Sequence, residues 1–222
     1  YKKVFLESTT IFVHSVNDLN RLKQIGVNEN ISIFPHGILD CDFLNFDTNN
    51  GKKILLKDEW LISSYGFCLP HKGFLELIQA INLLREQGVN AKLRLYTSLY
   101  NEDYEYFVKE LKEEIVSLNI SDYVFIDTSY STDFDSLQNL SKSDLLVFPY
   151  QSTNESSSAA VRHGISSGRP ILVTPLKIFD DIQSCVDVLP GFDKYAISSG
   201  IRNHMKYRED NIDNYNKNQE ER

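Results

Sequence analysis

A loop that leads into a helix in the second half of the chain carries residue types that bind phosphate. Glu155 is followed by Ser156, Ser157 and Ser158, and the small and apolar residues 159–165 then indicate a helix. The first turn of a helix has unpaired backbone N–H groups at the positive end of the helix dipole, and both attract an anion. Serines are also ordinary helix caps, and the dipole alone favours a glutamate at this end. The pattern predicts either a phosphate site or simple capping.

A second loop supplies a positive charge. Lys72 stands between His71 and Gly73, directly before a predicted helix at 74–87. A lysine in this position is either a solvated charge or a phosphate ligand, and spacing alone leaves both open. His71, and His36 in an earlier loop, face the same predicted cleft, where each meets either ligand or water.

The elements around these loops alternate between strand and helix. Strands are predicted at 60–65, 92–96, 124–126, 144–148 and 171–173, with helices at 74–87, 103–118, 135–141, 159–165 and 195–208. This alternation predicts an α/β fold, a Rossmann-like parallel sheet with helices on both faces. Ligands of such sheets bind beyond the C-terminal ends of the strands, where the loops that carry Lys72 and Glu155 converge.

The chain divides into four predicted parts. Residues 1–38 contain a strand, a helix and a strand, and residues 39–58 are rich in Asp, Asn and Gly, as is typical of a linker or surface loop. Residues 59–208 form the sheet domain, and residues 209–222 are a polar tail. Because the sequence begins with Tyr1, we expect it to be a piece of a longer protein.

Composition excludes some classes of function. A net charge of -8 argues against a nucleic-acid-binding surface, which needs clustered Lys and Arg, but allows a nucleotide in a pocket. No apolar run is long enough to predict a transmembrane segment. Cys41, Cys68 and Cys185 lie far apart without metal-ligand spacing, so we expect reduced, buried thiols and a cytoplasmic location.

Two strings imitate an Asp-x-Asp metal site. Asp40 and Asp42 lie in the predicted linker, and the string of Asp133 and Asp135 is interpreted as a helix cap. Neither offers the convergent oxygen ligands of a divalent cation, so no metal site is predicted.

The order of motifs resembles the nucleotide-binding C-terminal half of the GT-B-fold retaining glycosyltransferases, of the large family 4 type (glycosyl transferases group 1). That family includes bacterial polysaccharide and lipopolysaccharide glycosyltransferases. The resemblance covers roughly residues 10–190. It rests on Ser15 before a helix, Pro35-His36-Gly37, Tyr65-Gly66-Phe67 with residues 70–73, residues 144–149, Glu155, and Gly168-Arg169-Pro170 with Thr174.

The resemblance implies an organisation and a partner for each part. Residues 1–38 correspond to the tail end of an N-terminal acceptor domain and a hinge, and the rest to a nucleotide-sugar-binding domain. The donor is a nucleotide-diphosphate sugar. A glycan or lipid-linked acceptor would bind through an N-terminal domain that this sequence lacks, and the full-length protein could associate peripherally with a membrane. No cofactor and no metal are implied.

The resemblance also implies residue roles in a retaining, hexosyltransferase-type reaction. Lys72 would act as a cation at the leaving diphosphate, helped by backbone N–H groups of residues 156–158, and Glu155 would orient the sugar. Both are the predicted catalytic residues, and the donor's own phosphate takes the acceptor's proton. The predicted donor-binding residues are Gly66, Phe67, Lys72, Glu155, Ser156, Ser157, Ser158 and His163.

Two positions depart from the family pattern. His163 stands where the family has a second glutamate near the ribose; an imidazole can hydrogen-bond a hydroxyl but cannot accept a bidentate pair. Phe67 stands where an arginine often follows the glycine. These departures keep two alternatives open: a non-catalytic nucleotide-sugar-binding or scaffold module, and a GT-B-fold nucleotide-sugar epimerase.

Overall fold

The computed structural model describes residues 2–40 and 59–211. Residues 41–58 of the predicted linker and residues 212–222 of the predicted tail lie outside the described residues. Cys41 and Asp42 are among them, so the predictions for these two residues and for both segments stay predictions.

The first described segment is a small unit of its own. It contains α1 (Lys2–Glu7), β1 (Ile11–Val13), α2 (Val16–Gln24) and β2 (Ile31–Ile33). The two strands pair with each other in parallel, with Ile11 opposite Ile31. The predicted strand, helix and strand of this segment are therefore present.

The second segment contains a parallel sheet of six strands. The strands are β3 (Trp60–Tyr65), β4 (Ala91–Tyr96), β5 (Val124–Asp127), β6 (Leu145–Phe148), β7 (Ile171–Val173) and β8 (Asp187–Val188), and the helices are α3 (Phe74–Glu86), α4 (Glu105–Ser117), α5 (Asp133–Ser141), α6 (Ala159–Ser166) and α7 (Lys194–Asp210). Short 3₁₀ turns lie at Pro70–Lys72, Glu102–Tyr104 and Lys177–Ile182. The predicted elements are all present, with boundaries shifted by two residues or fewer for most of them.

Helices cover both faces of this sheet, as the fold prediction required. Alternate residues of β6 show why: Leu145 and Val147 belong to the core that includes α3, α4 and α7, whereas Leu146 and Phe148 belong to the core that includes α5 and α6. All four are buried, which explains the continuous apolar run of this strand. The predicted α/β, Rossmann-like class is confirmed.

The strand order determines where on the sheet edge a ligand can bind. It runs β5-β4-β3-β6-β7-β8, so the direction of winding reverses between β3 and β6. At such a switch point the loops after the two strands separate and leave a crevice beyond the carboxyl ends. The loops after β3 and β6 carry Lys72 and Glu155.

The thiol prediction is correct for one of the two described cysteines. Cys68 is buried, but Cys185 is exposed. The exposure follows from position: Cys185 lies in the turn between the 3₁₀ segment and the exposed edge strand β8, where its N–H donates to the carbonyl of Ile182.

Among the helices in the described ranges, none has both the length and the apolar character that crossing a membrane requires.

Candidate functional site

A cleft of about 470 Å³ lies at the switch point, at the carboxyl edge of the sheet. Its walls come from the loops after β3, β4, β5 and β6 and from the first turn of α6. The predicted site residues in its lining are His36, Gly66, Phe67, Lys72, Glu155, Ser157, Ser158 and His163. The fold thus brings together most of the residues that the sequence selected, although they span more than 120 positions.

Lys72 is the cation of this cleft, and it is nearly buried. Its residue is 6% exposed. The ammonium lies 3.3 Å from Oε2 of Glu155 and 4.0 Å from the centroid of the Tyr150 ring. A charge taken out of water needs such partners, because desolvation otherwise disfavours the charged form. The interpretation of Lys72 as a solvated surface charge is therefore wrong.

The position of Lys72 depends on the glycine after it. Gly73 ends the 3₁₀ turn Pro70–Lys72 with φ +73°, a left-handed conformation that side chains disfavour. A Cβ at this position would lie 1.9 Å from the carbonyl oxygen of Pro149. The loop after β3 and the end of β6 can meet this closely only because residue 73 has no side chain.

Glu155 connects Lys72 with His71. Its side chain is 48% exposed, and Oε1 lies 4.0 Å from Nε2 of His71. Burial, followed by the neighbouring Lys72 charge, lowers the pKa of His71 below its usual value, although Glu155 opposes this effect. His71 contacts the acidic residue of the cleft but does not line the cleft itself.

The three serines before α6 face different surroundings. Ser158 is the N-cap: its hydroxyl accepts from the N–H of Val161 at 3.4 Å and bonds the Tyr150 hydroxyl at 2.9 Å. Ser157 lines the cleft, and its buried Oγ has no hydrogen-bond partner among the described residues. Ser156 instead lines a separate depression beside β1 and α2. The cap of Ser158 and the unpartnered hydroxyl of Ser157 therefore lie side by side at this helix end.

His163 is held by partners on two sides. Nε2 lies 3.0 Å from Oδ1 of Asp133, and Nδ1 lies 3.2 Å from the carbonyl oxygen of Ala159. The imidazole packs on the Tyr65 ring at a centroid distance of 5.2 Å. Burial chiefly raises the pKa of Tyr65, and the charge of Asp133 adds to that effect. A carboxylate of a different helix, α5, thus lies beside His163, the residue at the position of the missing second glutamate.

The remaining predicted residues lie at the rim. Gly66 has φ +134°, and a Cβ there would meet that of Ala160 at 3.3 Å. Phe67 is 41% exposed, and its ring packs edge to face on that of Tyr100, with 5.4 Å between the ring centroids. The backbone of His36 accepts a hydrogen bond at 2.9 Å from Nε of Arg162, a buried residue of α6.

Sequence reasoning missed several residues of the cleft. Asp127 ends β5, Ser129, Tyr130 and Ser131 follow it, and all four line the cleft. The predicted strand at 124–126 identified this loop as facing the ligand edge but gave no motif to select residues within it. The sequence also gives no reason to select Tyr150, which is not in the lining but holds Lys72 through its ring.

The predicted interpretation of Asp133 and Asp135 as a cap is corrected in detail. Thr132 is the N-cap of α5, and its hydroxyl accepts from the N–H of Asp135. Asp133 is the first helical residue and turns to His163. In the described ranges 2–40 and 59–211, no group of three or more His, Cys, Asp or Glu side chains could hold a metal ion.

No known family model matches the chain, and no curated protein matches it by sequence. Solved structures resemble it in fold. A glycosyltransferase from Rickettsia africae ESF-5 has a TM-score of 0.71 at 14% identity, over 93% of this chain and 56% of that chain. The Anabaena protein HepE (Alr3699), in complex with UDP and glucose, has a TM-score of 0.70 at 14% identity, over 94% and 55%. The C-terminal domain of a group 1 glycosyl transferase (LpcC) from Francisella tularensis has a TM-score of 0.56 at 12% identity, over 64% and 73%.

These similarities define the class of fold. The chain has the architecture of the C-terminal half of a GT-B glycosyltransferase, as the sequence predicted. It spans about half the length of the Rickettsia and Anabaena structures. Sequence identities of 12–14% show a shared fold and nothing more. The chemistry therefore has to be argued from the residues of the cleft.

Proposed function

We propose that this chain is the donor-binding part of a retaining, hexosyltransferase-type glycosyltransferase of the family 4 type. It binds a nucleotide-diphosphate sugar in the cleft at the switch point. The sugar passes to a glycan or lipid-linked acceptor in cytoplasmic assembly of a polysaccharide or lipopolysaccharide. The acceptor binds through a further domain, and the complete protein associates peripherally with a membrane.

One observation carries this proposal: a nearly buried lysine and the start of α6 line the same cleft. Lys72 supplies a full positive charge, and Ser157 and the first N–H groups of α6 supply donors. A diphosphate satisfies all of them at once, because it brings two charges and several acceptor oxygens. The Anabaena protein of the same fold was solved with UDP-glucose, which is consistent with such a donor.

These groups suit the departure of a nucleotide diphosphate. Negative charge grows on the leaving phosphate as the bond to the sugar breaks, so a fixed ammonium and aimed N–H groups stabilise the transition state more than the ground state. Glu155, half exposed beside Lys72, accepts hydrogen bonds from sugar hydroxyls and orients the ring. The acceptor's proton goes to the donor phosphate, and neither a protein nucleophile nor a metal is required.

In this proposal, His163 and Asp133 together bind the ribose of the donor. The imidazole holds one carboxylate oxygen of Asp133, and that carboxylate remains 60% exposed at the cleft. A carboxylate accepts from two vicinal hydroxyls, which an imidazole alone cannot do. The pair thus replaces the single glutamate of the family pattern with two residues from different helices.

Thermal unfolding tests the donor site. We expect one nucleoside diphosphate among UDP, GDP, ADP and CDP to stabilise the chain, by roughly 2.7 kcal/mol at 100 times its dissociation constant. For a domain of this size that is a rise of about 5–10 °C in Tm. Lys72→Ala should abolish the rise, whereas Lys109→Ala, a surface lysine paired with Glu113, should retain it.

Transfer is tested separately with the full-length protein. Glu155→Ala should abolish sugar transfer while the fold and diphosphate binding persist. Release of free sugar and nucleotide without an acceptor would instead favour the epimerase alternative. Donor binding without any turnover would favour the scaffold alternative.

A further inference from the structure

The cation of the cleft lies at one of its two ends. At the switch point lie Lys72, with Glu155 3.3 Å from its ammonium, Ser157 and the N-terminal end of α6. At the far end lies Asp127, the last residue of β5, whereas Asp133 lies between the two ends, 3.0 Å from Nε2 of His163. Within the described part of the chain, Lys72 is the single lysine or arginine in the lining. A phosphate is therefore drawn to the end that holds Lys72 and the start of α6, where it competes with Glu155 for the ammonium.

This polarity fixes how a nucleoside diphosphate lies. Its phosphates belong beside Lys72, so its base points along the sheet edge toward β5. β4 separates β3 from β5, so the far end lies two strand spacings away, about 10 Å. The base is consequently the part of the ligand that meets Asp127. This step rests on the function proposed above.

Asp127 is held ready to accept hydrogen bonds. It ends β5 and is partly buried at the cleft wall. Oδ1 accepts from the N–H of Ser129 at 2.9 Å and from the Ser129 hydroxyl at 2.6 Å. Among the described residues Oδ2 has no hydrogen-bond partner. The loop thus fixes one side of the carboxylate and leaves acceptor capacity on the other.

The bases differ in what they offer to a carboxylate. Guanine presents N1–H and the N2 amino group side by side, and both can donate to one carboxylate: one to Oδ2, and the other to Oδ1 in place of the Ser129 hydroxyl, while the Ser129 N–H keeps its bond. Uracil presents a single N–H between two carbonyl oxygens, and those oxygens are repelled by the negative charge. Adenine and cytosine each offer one amino group beside an acceptor nitrogen. Of the four bases, guanine alone matches a carboxylate with two donors.

We propose that the cleft selects a guanine nucleotide and that Asp127 is the residue that determines this specificity. Tyr130, 85% exposed at the rim of the same end, offers its ring as a stacking surface for the purine. The donor of the proposed reaction is then a sugar carried on GDP. The UDP bound by the Anabaena protein does not decide the base here, because that likeness is one of fold.

Titration calorimetry with GDP, inosine diphosphate (IDP), UDP and ADP tests the proposal on the unmodified chain. GDP should bind at least about tenfold more tightly than UDP, since a matched pair of hydrogen bonds discriminates by factors of this order. IDP lacks the N2 amino group but keeps N1–H, so it should bind between GDP and UDP. Equal affinities for GDP and IDP would overturn the bidentate contact with Asp127.

Variants locate the effect at Asp127. Asp127→Asn should weaken GDP by about tenfold and UDP by less than about twofold, because only the guanine contact needs the second acceptor oxygen. Asp122→Asn, an exposed acid in the turn before β5, is the matched control and should change neither affinity. Tightest binding of UDP or ADP by the unmodified chain overturns the guanine proposal and leaves the donor-site proposal standing. Failure of every nucleotide to bind contradicts the donor site itself.

Discussion

Lys72 has two partners of different character: the Glu155 carboxylate at 3.3 Å and the face of the Tyr150 ring at 4.0 Å. The carboxylate is half exposed and can move, whereas the ring is buried and fixed. A diphosphate that approaches the ammonium competes with Glu155 and not with Tyr150. The two partners therefore predict different consequences when they are changed.

Replacing Glu155 should strengthen diphosphate binding. Glu155→Gln removes a competing negative charge from Lys72, and a half-exposed pair of this kind is worth up to about 1 kcal/mol, or roughly fivefold in affinity. Sugar transfer should be lost at the same time, because the amide orients the hydroxyls differently. Calorimetry with the nucleoside diphosphate measures the gain, and Glu113→Gln is the surface control. A weaker affinity in Glu155→Gln would contradict the competition.

Tyr150 acts as a positioning residue for Lys72. It is 1% exposed, and its hydroxyl joins Ser158 at the start of α6. Tyr150→Phe keeps the ring and should cost about 1 kcal/mol of unfolding free energy with little change in affinity. Tyr150→Leu removes the cation–π contact, worth about 0.5–2 kcal/mol, and should lower diphosphate affinity several-fold more than monophosphate affinity. A purely structural role would lower both affinities equally in calorimetry.

At the scale of elements, apolar periodicity predicted the strands and helices because burial of their apolar residues determines them. The strands β4 and β6 are clear examples: in β4 buried apolar side chains alternate with less buried ones, and in β6 all four side chains are buried. Motifs also selected Lys72 and Glu155 for the site. The contacts among site residues were not predictable, because Lys72 and Glu155 are 83 positions apart and meet only through the strand order.

The contact of Asp133 with His163 was likewise not predictable from the sequence. This pairing joins α5 to α6 across 30 positions. The local sequence pattern identified Asp133 only as a residue at the start of a helix. Tyr150 gave no signal either, since an aromatic residue after a buried strand is typical of any core. What the sequence missed are side chains whose role depends on which elements become neighbours.

The turn before α3 gives an element-scale prediction. Gly73→Ala should destabilise the chain by well over the roughly 1–2 kcal/mol that a left-handed conformation costs a side chain, because its Cβ would also overlap the Pro149 carbonyl. Gly88 is the matched control, with φ +83° and open space within 4 Å of where a Cβ would lie. Gly88→Ala should therefore show the conformational cost alone. Urea denaturation measures both, and equal losses would show that the Pro149 contact relaxes freely.

At the scale of the whole molecule, α6 joins the first described segment to the main sheet. Arg162 donates from Nε to the carbonyl of His36 and from Nη1 to the carbonyl of Ser158, and it pairs with Asp181. One turn further on, the Ser166 hydroxyl bonds the carbonyl of Leu39 at 3.0 Å. The residues that lead from β2 are thus tied to the helix whose start faces the cleft.

Arg162 is the residue on which this junction depends most. Arg162→Met would remove the side-chain donors to the carbonyls of His36 and Ser158 and the partner of Asp181. Because Asp181 is exposed, the expected cost is that of lost hydrogen bonds at a buried residue, about 1–3 kcal/mol of unfolding free energy. Arg202→Met, which loses only an exposed bond to Gln87, should stay within about 0.5 kcal/mol. Hydrogen exchange adds a local measurement: amides of residues 37–39 should exchange faster in Arg162→Lys, while amides of α3 keep their protection. Uniform acceleration in both regions would mean that Arg162 stabilises the fold generally and does not hold the junction in particular.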